Sequence, residues 1–362
     1  ADNVLGVTSV SDTLNAGDSI IIPVNISGQV LFPNNLVYAH VEPCDTATDT
    51  DPGNNTVHDK SGITYTQPAG TITPELEWQW TAGSVLPDSK HVMCAPLVIN
   101  LNDDNGDGAL DNRDIPDIIF QTFTGSNYTA NGILRAVSGD GSGEIFTVTA
   151  YEVSPGSNPA AGDIDGDGLP EVLALQENVD GLYRIMAFEN DGTHKWTSTD
   201  GTTSYLTSIT LADIDMDGSP EIIAGSLVLN SDGSTKWEGS AGSGRNASIA
   251  ADIDMTGGME IVAGNTAYHA DGSIYWQNTS VTDGYDAVGN FDSDEYPEIL
   301  VIARSGANAL VYLLEHDGQI KWGPVTFTTT ASSSNGGGSA PSIADIDGDG
   351  LADIVFSTTD RV

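Results

Sequence analysis

The sequence predicts an all-β protein, a β-propeller of four-stranded blades, and three observations carry that expectation. Short β-rich runs alternate with glycine-rich turns, one acidic-loop motif recurs six times, and Asp-Gly followed by an aromatic residue recurs between the copies. Glycine supplies 41 of the 362 residues, mostly in turn-like clusters, the pattern of many short strands joined tightly. The hydrophobic fraction, 39%, is enough for a buried core, and no apolar run approaches the roughly 18 residues of a membrane span.

Six segments share a small-residue run, an acidic loop and a short aliphatic strand. They are Leu97 to Phe120, Pro159 to Leu175, Ile209 to Gly225, Ser248 to Gly264, Ala287 to Ile302 and Pro341 to Phe356. A recurrence of roughly 40 to 60 residues suits four-stranded units set side by side, and implies six to seven blades. The strand entering each loop is small, as in Ala160-Ala161-Gly162, which suits crowding around an axis. The strand leaving it is aliphatic, as in Ile222-Ile223-Ala224 and Ile299-Leu300-Val301, which suits burial on both faces.

Between the loops, Asp191-Gly192, Asp232-Gly233, Asp271-Gly272 and Asp317-Gly318 precede Trp196, Trp237, Trp276 and Trp322. Asp140-Gly141 with Phe146 is a looser first copy. Asp-Gly between apolar runs predicts a type I′ hairpin turn with positive φ at both centres. Packing against an outer strand accounts for the tryptophans better than sugar stacking does. His194 and Tyr275, just before two of them, read as surface residues. A linear solenoid is the alternative architecture, and the tryptophan-bearing strands and uneven spacing speak against it.

The last repeat stops at Val362 after its second strand, so its edge is expected to be covered. Glu75 to Trp80 could return as a lone outer strand; continuation of the chain past Val362 is the preferred expectation. A start at Ala1 rather than methionine points to numbering inside a processed or larger precursor. Residues 1–65 read as a small Ig-like β segment or its remnant, with strands at Ser19 to Ile26 and Leu36 to Val41, and residues 66–362 as the propeller. Cys44 and Cys94 are either one disulfide of an oxidising compartment or two unrelated thiols.

Fifty-two acidic residues against 11 basic ones give a net charge of −41. Nucleic acid and anionic membrane surfaces would repel such a chain. Disorder fits badly, because the acids alternate with aliphatic strands. Salt adaptation explains part of the excess, but the spacing of the acids points to metal. Asp163, Asp165, Asp167 and Glu171 stand at alternate or near-alternate places, and Gly166 and Gly168 let the chain curl until their oxygens converge. Calcium takes six to eight such oxygens, whereas magnesium demands a stricter octahedron.

Asp213, Asp215, Asp217 and Glu221 repeat the pattern, as do Asp345, Asp347, Asp349 and Asp353. The first loop, with Asp103, Asn105, Asp107, Asp111 and Asp114, is more like an EF-hand. Asn290, Asp292, Asp294 and Glu298 form the fifth set. The fourth keeps Asp252, Asp254 and Glu260 but has Thr256 for the third Asp, so it should hold calcium most weakly. Up to six calcium ions are expected, in structural roles. No Cys or His falls within the loops, which argues against zinc or copper.

These loops, of the form Asp-x-Asp-x-Asp-Gly-x-x-Glu/Asp, and lead-ins such as Ala340-Pro341-Ser342-Ile343-Ala344 resemble the FG-GAP repeats of integrin α-subunit propellers and the related bacterial VCBS-type repeats. The resemblance covers roughly residues 66–362 and implies calcium on the underside of the blades with ligand-binding loops opposite. The tryptophan-bearing strands look more like bacterial secreted members, and the N-terminal segment loosely resembles the Ig-like modules that accompany them. Nothing matches the inserted ligand-binding domain of some integrins.

The expectation that follows is an extracellular binding, adhesion or scaffolding module, secreted or on the cell surface. It would engage a glycan or protein ligand, without membrane insertion, as part of a larger multidomain chain or assembly. A polysaccharide lyase or hydrolase is the alternative, but its chemistry needs a base and, for an acidic glycan, a basic cleft. The six histidines are scattered and basic residues are few. A structural subunit of a surface or filament assembly is the third reading. Arg113 is expected to pair with acids of its own loop.

Overall fold

The computed structural model describes residues 37–40, 56–59, 76–328, 338–346 and 352–358. The chain divides into two units, residues 1–75 and 76–362. In the first, Val37–His40 pairs antiparallel with Thr56–Asp59. The strand expected at Ser19 to Ile26 lies outside the described residues.

The second unit is a succession of antiparallel four-stranded blades. Blade one is Leu97–Ile99, Asp117–Phe123, Ile133–Ser138 and Glu144–Thr147, with His91–Val92 pairing the far end of its second strand. Blade two is Ala160–Gly162, Glu171–Leu175, Tyr183–Phe188 and His194–Thr202. Blade three is Ile209–Ala212, Glu221–Ala224, Leu227–Leu229 and Thr235–Glu238. Blade four is Ile249–Ala251, Glu260–Ala263, Thr266–Tyr268 and Ile274–Gln277. Blade five is Gly284–Gly289, Glu298–Ser305, Asn308–Leu314 and Ile320–Thr328. Of blade six, Ser342–Ala344 and Asp353–Val355 are described.

The first strands of successive blades lie side by side, so the sheets radiate from a common axis. Small residues are required there: a Cβ on Gly162 would sit 3.0 Å from Leu211 of the next blade. The second strands of blades one to five are buried on both faces, and their two-residue period divides them between neighbours. Val172 and Ala174 pack with Ile119, Leu134 and Ala136 of blade one, whereas Leu173 packs with Ile222 and Ala224 of blade three. The same division repeats at Ile223 against Ile222, and at Leu300 against Ile299 and Val301. Burial of each such Val, Leu or Ile side chain contributes about 1.5–3 kcal/mol.

The Asp-Gly hairpins differ from expectation. Their glycines have positive φ, 83° at Gly192 and 82° at Gly233 and Gly272, but the preceding aspartates do not. Gly192 N–H donates to Glu189 O, Asp191 Oδ1 accepts from Thr193 N–H, and the register slips between Ala187 and Phe188. This is a turn closed by a left-handed glycine at a β-bulge, rather than a type I′ turn. Trp196, Trp237 and Trp276 are packed rather than presented to solvent, but on the turn glycine of the neighbouring blade, and Trp276 is 8% exposed. Trp322, at 38%, is the exception.

Leu76–Trp80 does not form the expected lone strand, and Glu75 is outside the described residues. Trp78 instead lies on Gly141 and donates from Nε1 to Gly139 O at 2.8 Å, while Trp80 meets Phe120 edge-on. His194 and Tyr275 are half-buried, not surface residues. His194 stacks on Tyr151 with ring centroids 4.2 Å apart, and burial lowers its pKa. Cys94 is buried against Gln121 and forms no disulfide among the described residues, and Cys44 lies outside them.

Candidate metal centres

Each acidic loop joins the first strand of its blade to the second, so antiparallel pairing puts all of them at one end of the sheets. The Asp-Gly turn joins the third strand to the fourth and shares that end. One contact recurs in every copy: the carboxylate that opens the second strand accepts the N–H of the residue after the loop's first ligand. The pairs are Leu101 with Asp117, Ile164 with Glu171, Ile214 with Glu221, Ile253 with Glu260, Phe291 with Glu298 and Ile346 with Asp353, at 2.7–3.1 Å. Five of these carboxylates are buried, with Glu171 1% exposed and Glu221 3%, and Asp353 is half-buried.

In the second loop Asp163 accepts from Gly166 and Gly168 N–H, Asp165 from Asp167 N–H, and Asp167 from Leu169 N–H. Positive φ at Gly166 and Gly168 permits that curl. One oxygen each from Asp163, Asp165 and Glu171 lies within 4.8 Å of the others, as for Asp213, Asp215 and Glu221 and for Asp292, Asp294 and Glu298. In the third loop Asp217 caps Ser219 N–H, and Met216 takes the left-handed place of Gly166. In the fifth, Asn290 Oδ1 accepts from Asp292 N–H, and its Nδ2 donates to Asp294 O. Asp347 and Asp349 lie outside the described residues; Asp345 and Asp353 flank them.

A lysine that the sequence reading had not weighed enters three loops from the residue before each tryptophan. Lys195 Nζ donates to Asp165, Glu171 and Glu189 at 2.7, 3.2 and 2.9 Å. Lys236 reaches Asp215 and Glu221 at 2.6 and 2.8 Å. Lys321 contacts Asp292, Glu298 and Glu315. Hydrogen bonds from these ammonium groups hold Asp165, Asp215 and Asp292 below the usual carboxylate range. Burial pushes Glu171 up, against the pull of Ile164 N–H and Lys195.

Blade one contains two oxygen sets. Asp103, Asn105, Asp107, Asp111 and Asp114 curl as an inserted loop: Gly106 and Gly108 N–H donate to Asp103, Asp107 N–H to Asn105, and Asp111 N–H to Asp114. Arg113 pairs with Asp107 and Asp111 of that loop, as expected, and lowers the pKa of Asp111. The strand register, however, sets Asn100, Asn102, Asp104 and Asp117 where the other blades have Asp163, Asp165, Asp167 and Glu171. Sequence reasoning missed these four. The signal was Ile115-Pro116-Asp117 beside Leu169-Pro170-Glu171. Asp117 is fully buried with a pKa raised by desolvation, and Asp117 Oδ1 and Asn102 Oδ1 have no hydrogen-bond partner.

Blade four departs most. Asp254 caps Thr256, and Asp252 keeps one contact, from Gly257 N–H at 3.3 Å, with its Oδ1 buried and unpartnered. The lysine position holds Tyr275. His269, from the turn before it, brings Nδ1 within 3.2 Å of Glu260 Oε1. Its ring nitrogen and oxygens of Asp254 and Glu260 lie within 4.8 Å of one another. A histidine therefore does join one loop, contrary to the sequence expectation, because strand pairing brings residue 269 to residue 260. The orphaned oxygens and hard donor sets of these loops fit a divalent cation.

A model of the FG-GAP-like repeat matches residues 163–224 and 290–356. No curated protein sequence matches the chain. Among solved structures, the V. cholerae biofilm matrix protein Bap1 is similar at 32% identity and a TM-score of 0.63, covering 75% of this chain and 44% of Bap1. This chain thus spans less than half of that protein. The Bacillus licheniformis rhamnogalacturonan lyase PL11 is similar at 18% identity and a TM-score of 0.53, over 78% of this chain and 58% of the lyase, a likeness of fold. Segments 163–224 and 290–356 of this all-β propeller are FG-GAP-like repeats.

Proposed function

We propose that the chain is an extracellular, calcium-stabilised adhesive or scaffolding module whose blades present a surface to glycans or proteins. The observation that carries the reading is the 32% identity, over 75% of this chain, to a biofilm matrix protein. Calcium would be held by Asp163, Asp165, Asp167 and Glu171 and their counterparts in the blades whose loops offer oxygen donors only. Its charge would offset like charges that the lysines only partly neutralise. The loop carboxylates are engaged by N–H groups and ammonium groups of their own blades, which suits a structural task better than acid–base work. The lyase reading has only a likeness of fold at 18% identity behind it.

The test is a glycan array and matrix-polysaccharide pull-down with the purified chain, with and without calcium, beside turnover assays on acidic polysaccharides. Saturable, calcium-dependent binding without product is the expected result. Turnover by the chain, or no binding to any matrix component, would overturn the reading.

A further inference from the structure

The acidic end of blade four differs from its neighbours in three coordinated ways. Thr256 removes a carboxylate that Asp167, Asp217 and Asp294 supply elsewhere. Tyr275 removes the ammonium that Lys195, Lys236 and Lys321 bring to the same spot. His269 replaces the residue that is Glu189 in blade two and Glu315 in blade five, both of which bind those lysines. The result is an imidazole nitrogen converging with Asp254 and with Glu260, which is 3% exposed. The buried Oδ1 of Asp252, at the head of the same loop, has no partner. Among the described residues, no Lys or Arg ion pair reaches these acids.

We infer that this cluster is a site for a borderline divalent transition ion of the zinc type, chemically distinct from the oxygen-only loops of the other blades. A neutral imidazole is a good ligand for such an ion and a poor one for calcium, which takes oxygen. Glu260 and Asp254 supply two carboxylates and His269 the nitrogen. Tyr275 lies against the His269 ring, centroids 4.9 Å apart.

The test titrates the full chain with Zn²⁺, and separately with Co²⁺, while calcium is in large excess. Metal content is read by native mass spectrometry, and ligand type by the visible absorption of bound cobalt. One zinc that excess calcium fails to displace is expected, with nitrogen-ligated cobalt bands. His269→Ala should weaken that zinc at least about tenfold and abolish the bands. His269→Asn, which keeps a polar partner for Glu260, serves as the variant if Ala unfolds the blade, and should behave likewise. His91→Ala should retain the ion. Displacement of zinc by calcium, or zinc binding unchanged in both His269 variants, would overturn the inference.

Discussion

Trp196 of blade two lies across Gly233 of blade three so closely that a Cβ on the glycine would sit 2.6 Å from the indole. The relationship is serial. Trp78 covers Gly141, Phe146 covers Gly192, Trp237 covers Gly272 and Trp276 covers Gly318. Each aromatic thereby locks its neighbour's turn, which sits beside the acidic loop. Two constraints act on each glycine, a positive φ and the absence of room.

Those two constraints can be separated. Gly306 has positive φ but open space around the absent Cβ. Gly306→Ala should cost about 1–2 kcal/mol, the left-handed penalty alone. Gly233→Ala should cost more, because the indole must also shift, by about 1–3 kcal/mol beyond that penalty. Chemical denaturation of both variants checks the order; equal losses would remove the packing part of the account.

On the proposed function, calcium removal should lower the melting temperature, since the oxygen-only loops would then hold converging carboxylates without a cation. Stabilisation by a ligand grows with its concentration, reaching about 2.7 kcal/mol at a hundredfold excess over Kd for one site. Melts of chelator-treated protein at rising calcium should climb accordingly. A flat series would show that the lysines and N–H groups suffice.

Lys236→Met tests the resident ammonium. It strips the cation from Asp215 and from Glu221, so metal-free protein should lose on the order of 1–2 kcal/mol. With calcium saturating, the gap to the parent protein should narrow, because the ion supplies the missing charge. Paired melts with and without chelator decide it.

Asp286 lies at the other end of the blades, 4% exposed, with Oδ2 accepting from Gly264 N–H at 2.7 Å and Oδ1 unpartnered. Burial raises its pKa well above the ordinary carboxylate value, and Asp283 adds to the rise. Its protonated form is therefore favoured in the folded state. Stability is fully present below the unfolded pKa and falls as pH rises toward the folded one. Asp286→Asn should be more stable than the parent at pH 8 and gain little at pH 4, by melts across that range.

Much of the fold was legible because its determinants are local. Alternation in Ile222-Ile223-Ala224 and small residues in Ala160-Ala161-Gly162 each report their own burial, and six copies reinforce one another. The loop ligands were legible for the same reason, since Asp163 to Glu171 converge within one turn of chain. In blade one an inserted loop broke the spacing, and Asn100, Asn102, Asp104 and Asp117 were hidden behind the stronger run from Asp103 to Asp114. Trp78 was readable as an aromatic residue but not as the first of the series that covers each turn glycine.

By itself, then, the sequence determined the strand grammar, the recurrence of the blade unit and the acidic loops, all consequences of neighbours along the chain. Only the tertiary structure decided which side chains enter a loop from another strand, as Lys195 does at Glu171 and His269 at Glu260. The physical reason is separation: those partners are 24 and 9 residues apart, and only the pairing register of the intervening strands places a cation in one site and an imidazole in the other.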